Sequence, residues 1–307
     1  PPTYRPPTAL PSAVMTPGKK CYLDYYQESP EFAPLAIGGF LPLDTVYNYN
    51  PLPAELTPEE QAYIIGVQAN IWGEYIQTPE YFEYMAFPRL LAMSEVQWTQ
   101  PEHKDFESFA RRLDKEFERL DYCGVNACRN FYEVNQAGAW NKSQQTYEVT
   151  LNTFCPDADI YYAVNDSTVN TSSSLYETPI PLDEDATIYS AVYRSGKPLG
   201  KVTRKSFAVN KATGCDYTCN PEAGWEHLNK GFGLTDGRRG YARDMRRWIS
   251  FYQDTVQIVV ELKKPQKVKE VAFSSLWRPV NEIWPARAMS VSVSMDGQTL
   301  FRWALNG

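Results

Sequence analysis

The order of apolar and polar positions predicts alternating strands and helices over residues 13–140. Residues 64–74 begin as an apolar run of strand length and end in Trp72, Gly73 and Glu74. A second short strand is predicted at residues 13–15, after a proline-rich segment at 1–12 that reads as a linker. Strands and helices that follow one another in this way are typical of an α/β fold.

Local start and stop signals predict three helices in the same region. Residues 57–60 hold a threonine N-cap, a proline at the first helical position and a glutamate that closes a capping box. A longer helical pattern starts at residue 78 or 79 and continues to Trp98, and Pro88 is expected to bend it. Apolar residues at three- and four-residue steps predict a third helix over about 101–122, which Gly124 ends.

From about Gln144 the chain changes to short alternating strands that polar turns separate. This spacing predicts a small β-sandwich, followed from about Cys215 by a third unit that is again all-β. The predicted strands are 147–151, 159–164 and 187–193 in the sandwich, and 255–262, 268–274 and 289–295 in the third unit.

Composition narrows the classes of partner. The 307 residues carry a net charge of −7 and a pI of about 5.1, which argues against a nucleic-acid partner because phosphate binding requires a basic surface. No apolar run reaches the roughly 18 residues that a membrane span needs. Aromatic residues make up 14% of the chain, with 21 Tyr and 8 Trp, which suits the binding of carbohydrate faces and is also found in tyrosine-rich sandwiches without a ligand.

The two histidines and six cysteines do not form a metal-binding pattern. No Cys-x-x-Cys pair occurs, so we do not expect a zinc site. We expect no other metal and no cofactor. Cys123 with Cys128, and Cys215 with Cys219, are spaced to close small disulfide loops in an oxidising compartment; free thiols are the alternative.

Two pairs of an aromatic ring and an acid follow predicted strands. Trp72 and Glu74 are two residues apart, as are Tyr22 and Asp24, so in extended backbone each pair points to one side. An indole can stack on a sugar ring and a carboxylate can accept hydrogen bonds from its hydroxyls. The alternative for the first pair is a core tryptophan beside a surface glutamate.

These pairs belong to a longer set of motifs that resembles the C-terminal part of the β-N-acetylhexosaminidases of glycoside hydrolase family 20. The order and spacing match over roughly residues 13–133. The motifs are Tyr22-Leu23-Asp24, Gly66-x-Gln68-Ala69-x-x-Trp72-Gly73-Glu74, Pro88-Arg89 and Glu95-Val96-Gln97-Trp98.

The later regions carry resemblances of their own. The sandwich is similar to the domain that follows the barrel in chitobiase-type members, and residues 233–240 with 292–297 are similar to discoidin-like jelly rolls. The fold expected is therefore the C-terminal part of a (β/α)8 TIM barrel followed by a small β-sandwich and a discoidin-like β jelly roll. The expected bounds are 1–12 for a linker, 13–140 for the barrel part, 141–210 for the immunoglobulin- or fibronectin-like sandwich and 211–307 for an incomplete discoidin-like domain.

The resemblance implies release of terminal N-acetylglucosamine or N-acetylgalactosamine from glycans with retention of configuration. In this family the nucleophile is the acetamido oxygen of the substrate. Tyr22 would contact that oxygen as the transition state forms, Asp24 and Glu74 would bind sugar hydroxyls, and Trp72 would form a wall of the pocket. It also implies a periplasmic, cell-surface or secreted location.

The acid pair of the family is missing from these residues. It occurs in a Gly-Gly-Asp-Glu setting, whereas the one Asp-Glu sequence here, Asp183-Glu184, lies in a turn-like segment of the sandwich, where it is expected to be solvated. We therefore expect the rest of the barrel to lie in sequence outside this chain, and the isolated 307 residues to be inactive.

A second hypothesis is a non-catalytic carbohydrate-binding or scaffold protein. In that case the β domains would present tryptophans to sugars, and the α/β region would be a remnant of the enzyme. The candidate contacts are Trp225, Trp248, Trp277 and Trp284.

Overall fold

The computed structural model describes residues 12–222, 224, 233–244, 247–252, 255–295 and 299–306, the last of these for the backbone alone. The expected linker at 1–12 thus lies almost entirely outside the described residues. The chain divides into two compact units. The first contains residues 1–134, 153–160 and 191–202, and the second contains 135–152, 161–190 and 203–307.

A pair of parallel strands begins the first unit. Strand β1, Ala13–Met15, pairs with β2, Ile64–Val67, which confirms both predicted strands. Helix α1, Gly18–Cys21, is a single turn after β1. Parallel pairing directs the carboxyl ends of both strands to the same edge, so the segments that follow them emerge side by side.

Five further helices follow in the first unit within the described residues. They are α2 (Leu43–Tyr47), α3 (Pro58–Gln61), α4 (Pro79–Ala86), α5 (Arg89–Trp98) and α6 (Phe106–Tyr122), with 3-10 turns at Pro101–His103 and Asn130–Tyr132. The capping box before α3 is present as predicted, since the side chain of Thr57 accepts from the Glu60 amide and the Glu60 side chain accepts from the Thr57 amide.

Two helix predictions require correction. The pattern from residue 78 to Trp98 is two helices rather than one bent helix, because Phe87 adopts an extended conformation before Pro88. A residue that precedes proline is disfavoured in the helical region. The third helix begins at Phe106 rather than near residue 101, because Asp105 is its N-cap and accepts from the amides of Glu107 and Ser108.

The core of the first unit lies between these helices and the segments that follow β1 and β2. On α6 the buried residues Phe109, Leu113 and Phe117 recur at four-residue steps, as the apolar spacing predicted. Tyr47 of α2 stacks on Phe109 with ring centroids 4.8 Å apart. This packing joins α2 to α6 in the core.

Strands β3 to β10 form two antiparallel sheets. One has the order β3-β4-β7 and the other β10-β8-β5-β6, with β9 paired to β8. The strands are β3 (Asn135–Asn141), β4 (Thr146–Asn152), β5 (Asp159–Val164), β6 (Ser174–Leu175), β7 (Ile180–Leu182), β8 (Ala186–Arg194), β9 (Lys197–Pro198) and β10 (Thr203–Phe207).

Three of these strands, β4, β5 and β8, confirm the alternating pattern, whereas β3 was not predicted. Its sequence Asn-Gln-Ala-Gly-Ala-Trp-Asn has small residues where large apolar ones would mark a strand. Gly138 of β3 lies against Tyr147 of β4, whose ring fills the space a side chain would take. Tyr147 in turn contacts Phe207 of the other sheet, with ring centroids 6.1 Å apart.

The last part of the second unit contains two two-stranded antiparallel sheets in the described residues. Strand β11, Asp216–Asn220, pairs with β12, Gln257–Glu261, and β13, Ala288–Ser294, pairs with β14, Thr299–Asn306. The strands expected at 255–262 and 289–295 are present, but residues 268–274 have no regular structure, so that prediction is wrong. Their apolar and charged residues are nearly all exposed, which removes the buried face that would hold a strand in a sheet.

Candidate sugar-binding site

Two neighbouring chain segments bring the predicted site residues together. The parallel pairing of β1 and β2 resumes at a bridge between Tyr22 and Asn70. The Leu23 amide donates to the Asn70 carbonyl at 2.7 Å, and the Asn70 amide donates to the Cys21 carbonyl at 2.9 Å. The ring-and-acid pair after β1 therefore lies next to the pair after β2.

The aromatic members of the two pairs approach each other. The ring centroids of Tyr22 and Trp72 are 6.4 Å apart with 56° between the ring planes. Tyr22 also contacts Tyr25 at 5.7 Å and is half-buried, whereas Trp72 is 52% exposed. An indole with an open face beside a phenol can cover one side of a sugar ring.

Trp72 and Glu74 do not lie in strand backbone, which their expected placement on one side required. Strand β2 ends at Val67, and apart from the Asn70 bridge the residues as far as Glu74 are irregular. The closeness of Trp72 to Tyr22 consequently depends on the hydrogen bonds around Asn70 and not on strand periodicity. Glu74 is exposed at this edge of the unit.

Asp24 is a buried carboxylate, 4% exposed. Within the part of the chain that the structure describes, its Oδ1 atom has no hydrogen-bond partner. Burial raises the pKa of the Asp24 carboxyl and the charge of Glu74 adds to this, while a backbone hydrogen bond and the Arg89 guanidinium act in the opposite direction. A buried acceptor without a donor reduces the stability of the fold.

Arg89 entered the sequence analysis only as part of a motif, yet it binds the backbone on both sides of Asp24. Its side chain is 0% exposed and donates to four backbone carbonyls, including that of Leu23 at 2.5 Å and that of Tyr25 at 2.9 Å. The sequence held one signal for this, since Arg89 is the first member of the stripe Arg89, Ala92, Met93 and Val96 that α5 buries.

A groove lies between Trp72 and the first turn of α4. It encloses about 240 Å³, and its lining is mostly apolar. The lining residues are Ile71, Trp72, Gly73, Ile76, Gln77, Thr78, Pro79 and Phe82.

The remaining candidates do not join this site. Asp183 and Glu184 are exposed between β7 and β8, as expected for a solvated loop.

Among the described residues no group of three or more His, Cys, Asp or Glu is placed to hold a metal ion. All six cysteines are free thiols, which is the second of the two alternatives that the cysteine spacing left open. Over the same described ranges no helix is both long and apolar enough to cross a membrane.

The four candidate tryptophans of the second hypothesis differ in their surroundings. Trp225 lies outside the described residues. The Trp248 indole donates to the Tyr241 carbonyl at 2.9 Å and is half-buried. Trp277 and Trp284 are each 68% exposed.

Two family models match the chain. Residues 11–101 match the model for the glycosyl hydrolase family 20 catalytic domain, and residues 135–204 match that for the chitobiase/beta-hexosaminidase C-terminal domain. Residues 11–101 therefore belong to glycoside hydrolase family 20. This confirms the family resemblance read from the motifs: a match to the family 20 catalytic domain is followed along the chain by a match to the chitobiase-type C-terminal domain.

Curated proteins named as hexosaminidases are similar to part of the chain. A beta-hexosaminidase of Porphyromonas gingivalis (strain ATCC BAA-308 / W83) is 52% identical over 114 residues, which is 37% of this chain and 15% of the relative. A beta-N-acetylhexosaminidase of Cellulomonas fimi is 32% identical over 102 residues, 33% of this chain and 20% of the relative. The chain thus spans between 15% and 20% of the length of these two relatives.

Solved structures of family 20 enzymes are also similar. The GH20 beta-N-acetylhexosaminidase from Streptomyces coelicolor A3(2) has a TM-score of 0.35 at 24% identity, covering 38% of this chain and 24% of that chain. The GH20 exo beta-N-acetylglucosaminidase from Vibrio harveyi in complex with N-acetylglucosamine has a TM-score of 0.33 at 38% identity, covering 38% of this chain and 18% of that chain.

Proposed function

We propose that the chain is the C-terminal part of an exo-β-N-acetylhexosaminidase that releases terminal N-acetylglucosamine or N-acetylgalactosamine from glycans. The observation that carries the proposal is the position of Tyr22, Asp24, Trp72 and Glu74 at one edge of two adjacent parallel segments. That edge is where a (β/α)8 barrel carries its active site. In this proposal the other strands of the barrel come from sequence outside these residues.

The reaction proposed is substrate-assisted and retains configuration. The acetamido oxygen of the sugar attacks the anomeric carbon while the glycosidic C–O bond breaks, and a general acid outside this chain protonates the leaving oxygen. Water then opens the oxazolinium ion, and the same group accepts the proton of that water.

Each of the four residues has a role in this scheme. Tyr22 donates a hydrogen bond to the acetamido oxygen as that oxygen closes on the anomeric carbon, an interaction that strengthens in the transition state. The carboxylates of Asp24 and Glu74 each accept a hydrogen bond from a sugar hydroxyl. Trp72 stacks on the sugar ring.

The test is hydrolysis of p-nitrophenyl N-acetylglucosaminide by two samples. One is the purified 307-residue chain; the other is the complete gene product, meaning the polypeptide that contains these residues together with the rest of the barrel. We expect release of p-nitrophenol from the complete gene product and none from the isolated chain. Activity of the isolated chain contradicts the fragment proposal, and inactivity of both contradicts the hexosaminidase.

The same proposal extends to the last domain and to location. Residues 211–307 would form part of a discoidin-like domain, and the whole protein would work in the periplasm, at the cell surface or outside the cell, where its polymeric substrates are. Fractionation of cells that express the complete gene product tests the location.

A second candidate function is glycan binding without catalysis, which the exposure of Trp277 and Trp284 favours. Arg278 and Ile283 pair in an antiparallel bridge, so the two tryptophans that flank this bridge come from neighbouring backbone segments. A glycan array probed with the isolated chain tests this function. Binding that a Trp277→Ala, Trp284→Ala double variant loses supports it, and an empty array rejects it.

A further inference from the structure

The Arg89 side chain forms hydrogen bonds with the backbone on both sides of Asp24. Arg89 donates from Nη2 to the Leu23 carbonyl at 2.5 Å and from Nη1 to the Tyr25 carbonyl at 2.9 Å. These two carbonyls belong to the residues immediately before and after Asp24. A rigid guanidinium fork that binds both of them fixes the direction in which the Asp24 side chain leaves the backbone.

The same guanidinium connects this segment to two other elements. It donates to the Leu41 carbonyl at 2.9 Å and to the Met85 carbonyl, the latter near the end of α4, at 2.6 Å. Leu41 is itself hydrogen-bonded to the segment, since its amide donates to the Tyr26 carbonyl at 2.8 Å. Arg89 therefore ties three separate parts of the chain beneath the proposed pocket.

The charge of Arg89 also acts on Asp24. Burial lowers the pKa of Arg89 to about 10, which leaves the guanidinium protonated at neutral pH. The positive charge favours the ionised form of the Asp24 carboxyl against its burial and against Glu74. An ionised carboxylate is the stronger hydrogen-bond acceptor for a sugar hydroxyl.

We infer that Arg89 is a positioning residue for the sugar-binding site, acting through the backbone on both sides of Asp24 to hold its carboxylate toward the substrate. This inference rests on the proposed function. It assigns Arg89 no contact with the sugar, because the side chain is fully buried beneath the segment.

A double-mutant cycle in the complete gene product tests the inference. The variants are Arg89→Lys, Asp24→Asn and the two combined, and the quantity is kcat/KM for p-nitrophenyl N-acetylglucosaminide. Lysine keeps the positive charge but has a single nitrogen, which cannot bind both carbonyls as the guanidinium does. We therefore expect Arg89→Lys to lower kcat/KM about tenfold or more when Asp24 is present. In the Asp24→Asn background we expect a further loss below about threefold, because residues that act as a unit are not additive.

Two controls separate positioning from a loss of folding. Arg119→Lys changes an arginine whose side chain is 78% exposed and forms an ion pair with Glu116 one turn away on α6; it should leave kcat/KM unchanged. Met93→Ala creates a cavity in the same buried stripe of α5 and should lower the melting temperature while its effect on kcat/KM adds to that of Asp24→Asn.

The outcomes distinguish this inference from the proposed function. An inactive wild-type gene product rejects the hexosaminidase. An active wild type in which Arg89→Lys has no effect, or lowers kcat/KM by the same factor in both backgrounds, rejects only the positioning role. If Arg89→Lys does not fold, Arg89→Gln replaces it in the cycle. If neither the Arg89→Lys variant nor the Arg89→Gln variant folds, the inference is also rejected, because Arg89 is then needed for folding and no separate role in positioning Asp24 remains.

Discussion

The rings of Tyr22 and Trp72 lie 6.4 Å apart, and each follows a different strand of one parallel pair. The backbone bonds around Asn70 hold the two segments in this register. The pocket proposed for the sugar therefore has one wall from each segment, and its chemistry can be tested one side chain at a time.

Removing the hydroxyl of Tyr22 should impair the chemical step more than substrate binding. We expect Tyr22→Phe to lower kcat of the complete gene product by about 10- to 100-fold, or roughly 1.4–2.7 kcal/mol, with a smaller change in KM. The reason is that the phenol contact strengthens only as the acetamido oxygen attacks. Steady-state kinetics decide this, with Tyr75→Phe, an exposed tyrosine just after Glu74, as the matched control. An effect confined to KM would contradict the role.

Replacing the carboxyl of Asp24 by an amide should stabilise the isolated chain above acidic pH. Burial raises the pKa of Asp24 in the folded state above its pKa in the unfolded chain. The folded protein is therefore most stable at pH values where Asp24 is protonated in both states, and it loses stability as the pH rises through the pKa of the folded state. The melting temperature of Asp24→Asn relative to wild type should therefore increase with pH over that window. Asp183→Asn, at an exposed carboxylate, is the control. A difference that does not depend on pH would rule out this account.

Lys201 should matter for stability because it neutralises two largely buried glutamates. Its Nζ atom lies 2.9 Å from Glu133 and 3.9 Å from Glu28, whose side chains are only 14% and 10% exposed. Burial raises the pKa of Glu133, the Lys201 hydrogen bond and charge lower it, and Glu28 raises it. The Lys201→Met substitution should raise the pKa of Glu133 further. It should also reduce the free energy of unfolding by on the order of 1–2 kcal/mol at about pH 8.

The pH dependence gives the sign of this effect. A carboxyl with a raised folded pKa loses stability as pH rises through that pKa, so the deficit of Lys201→Met should shrink toward about pH 5. Urea unfolding at several pH values measures it, and Lys197→Met, an exposed lysine of β9, serves as the comparison. Equal deficits at the acidic and the alkaline end of this range would refute the explanation.

A methyl group at Gly138 should disrupt the sandwich. A Cβ atom there would overlap the Tyr147 hydroxyl and the Phe207 ring, both in the core between the two sheets. We expect Gly138→Ala to lower the free energy of unfolding by about 1–3 kcal/mol, as overpacked cores do. Ala139→Ser adds one atom on the outward face of the same strand and should change it little. Chemical denaturation compares the two, and equal stabilities would exclude the predicted overlap.

Several elements were predictable because their signals are local. The capping box at Thr57 starts α3, and the four-residue recurrence of Phe109, Leu113 and Phe117 marks the buried face of α6. The alternation in β4, β5 and β8 follows from the two-residue period of a strand. The motif around Tyr22 and Trp72 identified the family and the candidate site residues in advance.

The sequence by itself thus determined the helix signals and the alternating strands, since each depends on residues within a few positions of one another. It also determined the family, because the order and spacing of the motifs can be read without the fold. Only the tertiary structure decided that Asp24 is buried, that Arg89 holds the backbone beside it and that β3 pairs through Gly138. Burial of a charge and the need for a glycine depend on partners far away along the chain. No local pattern of apolar and polar positions records those partners, because folding brings them into contact.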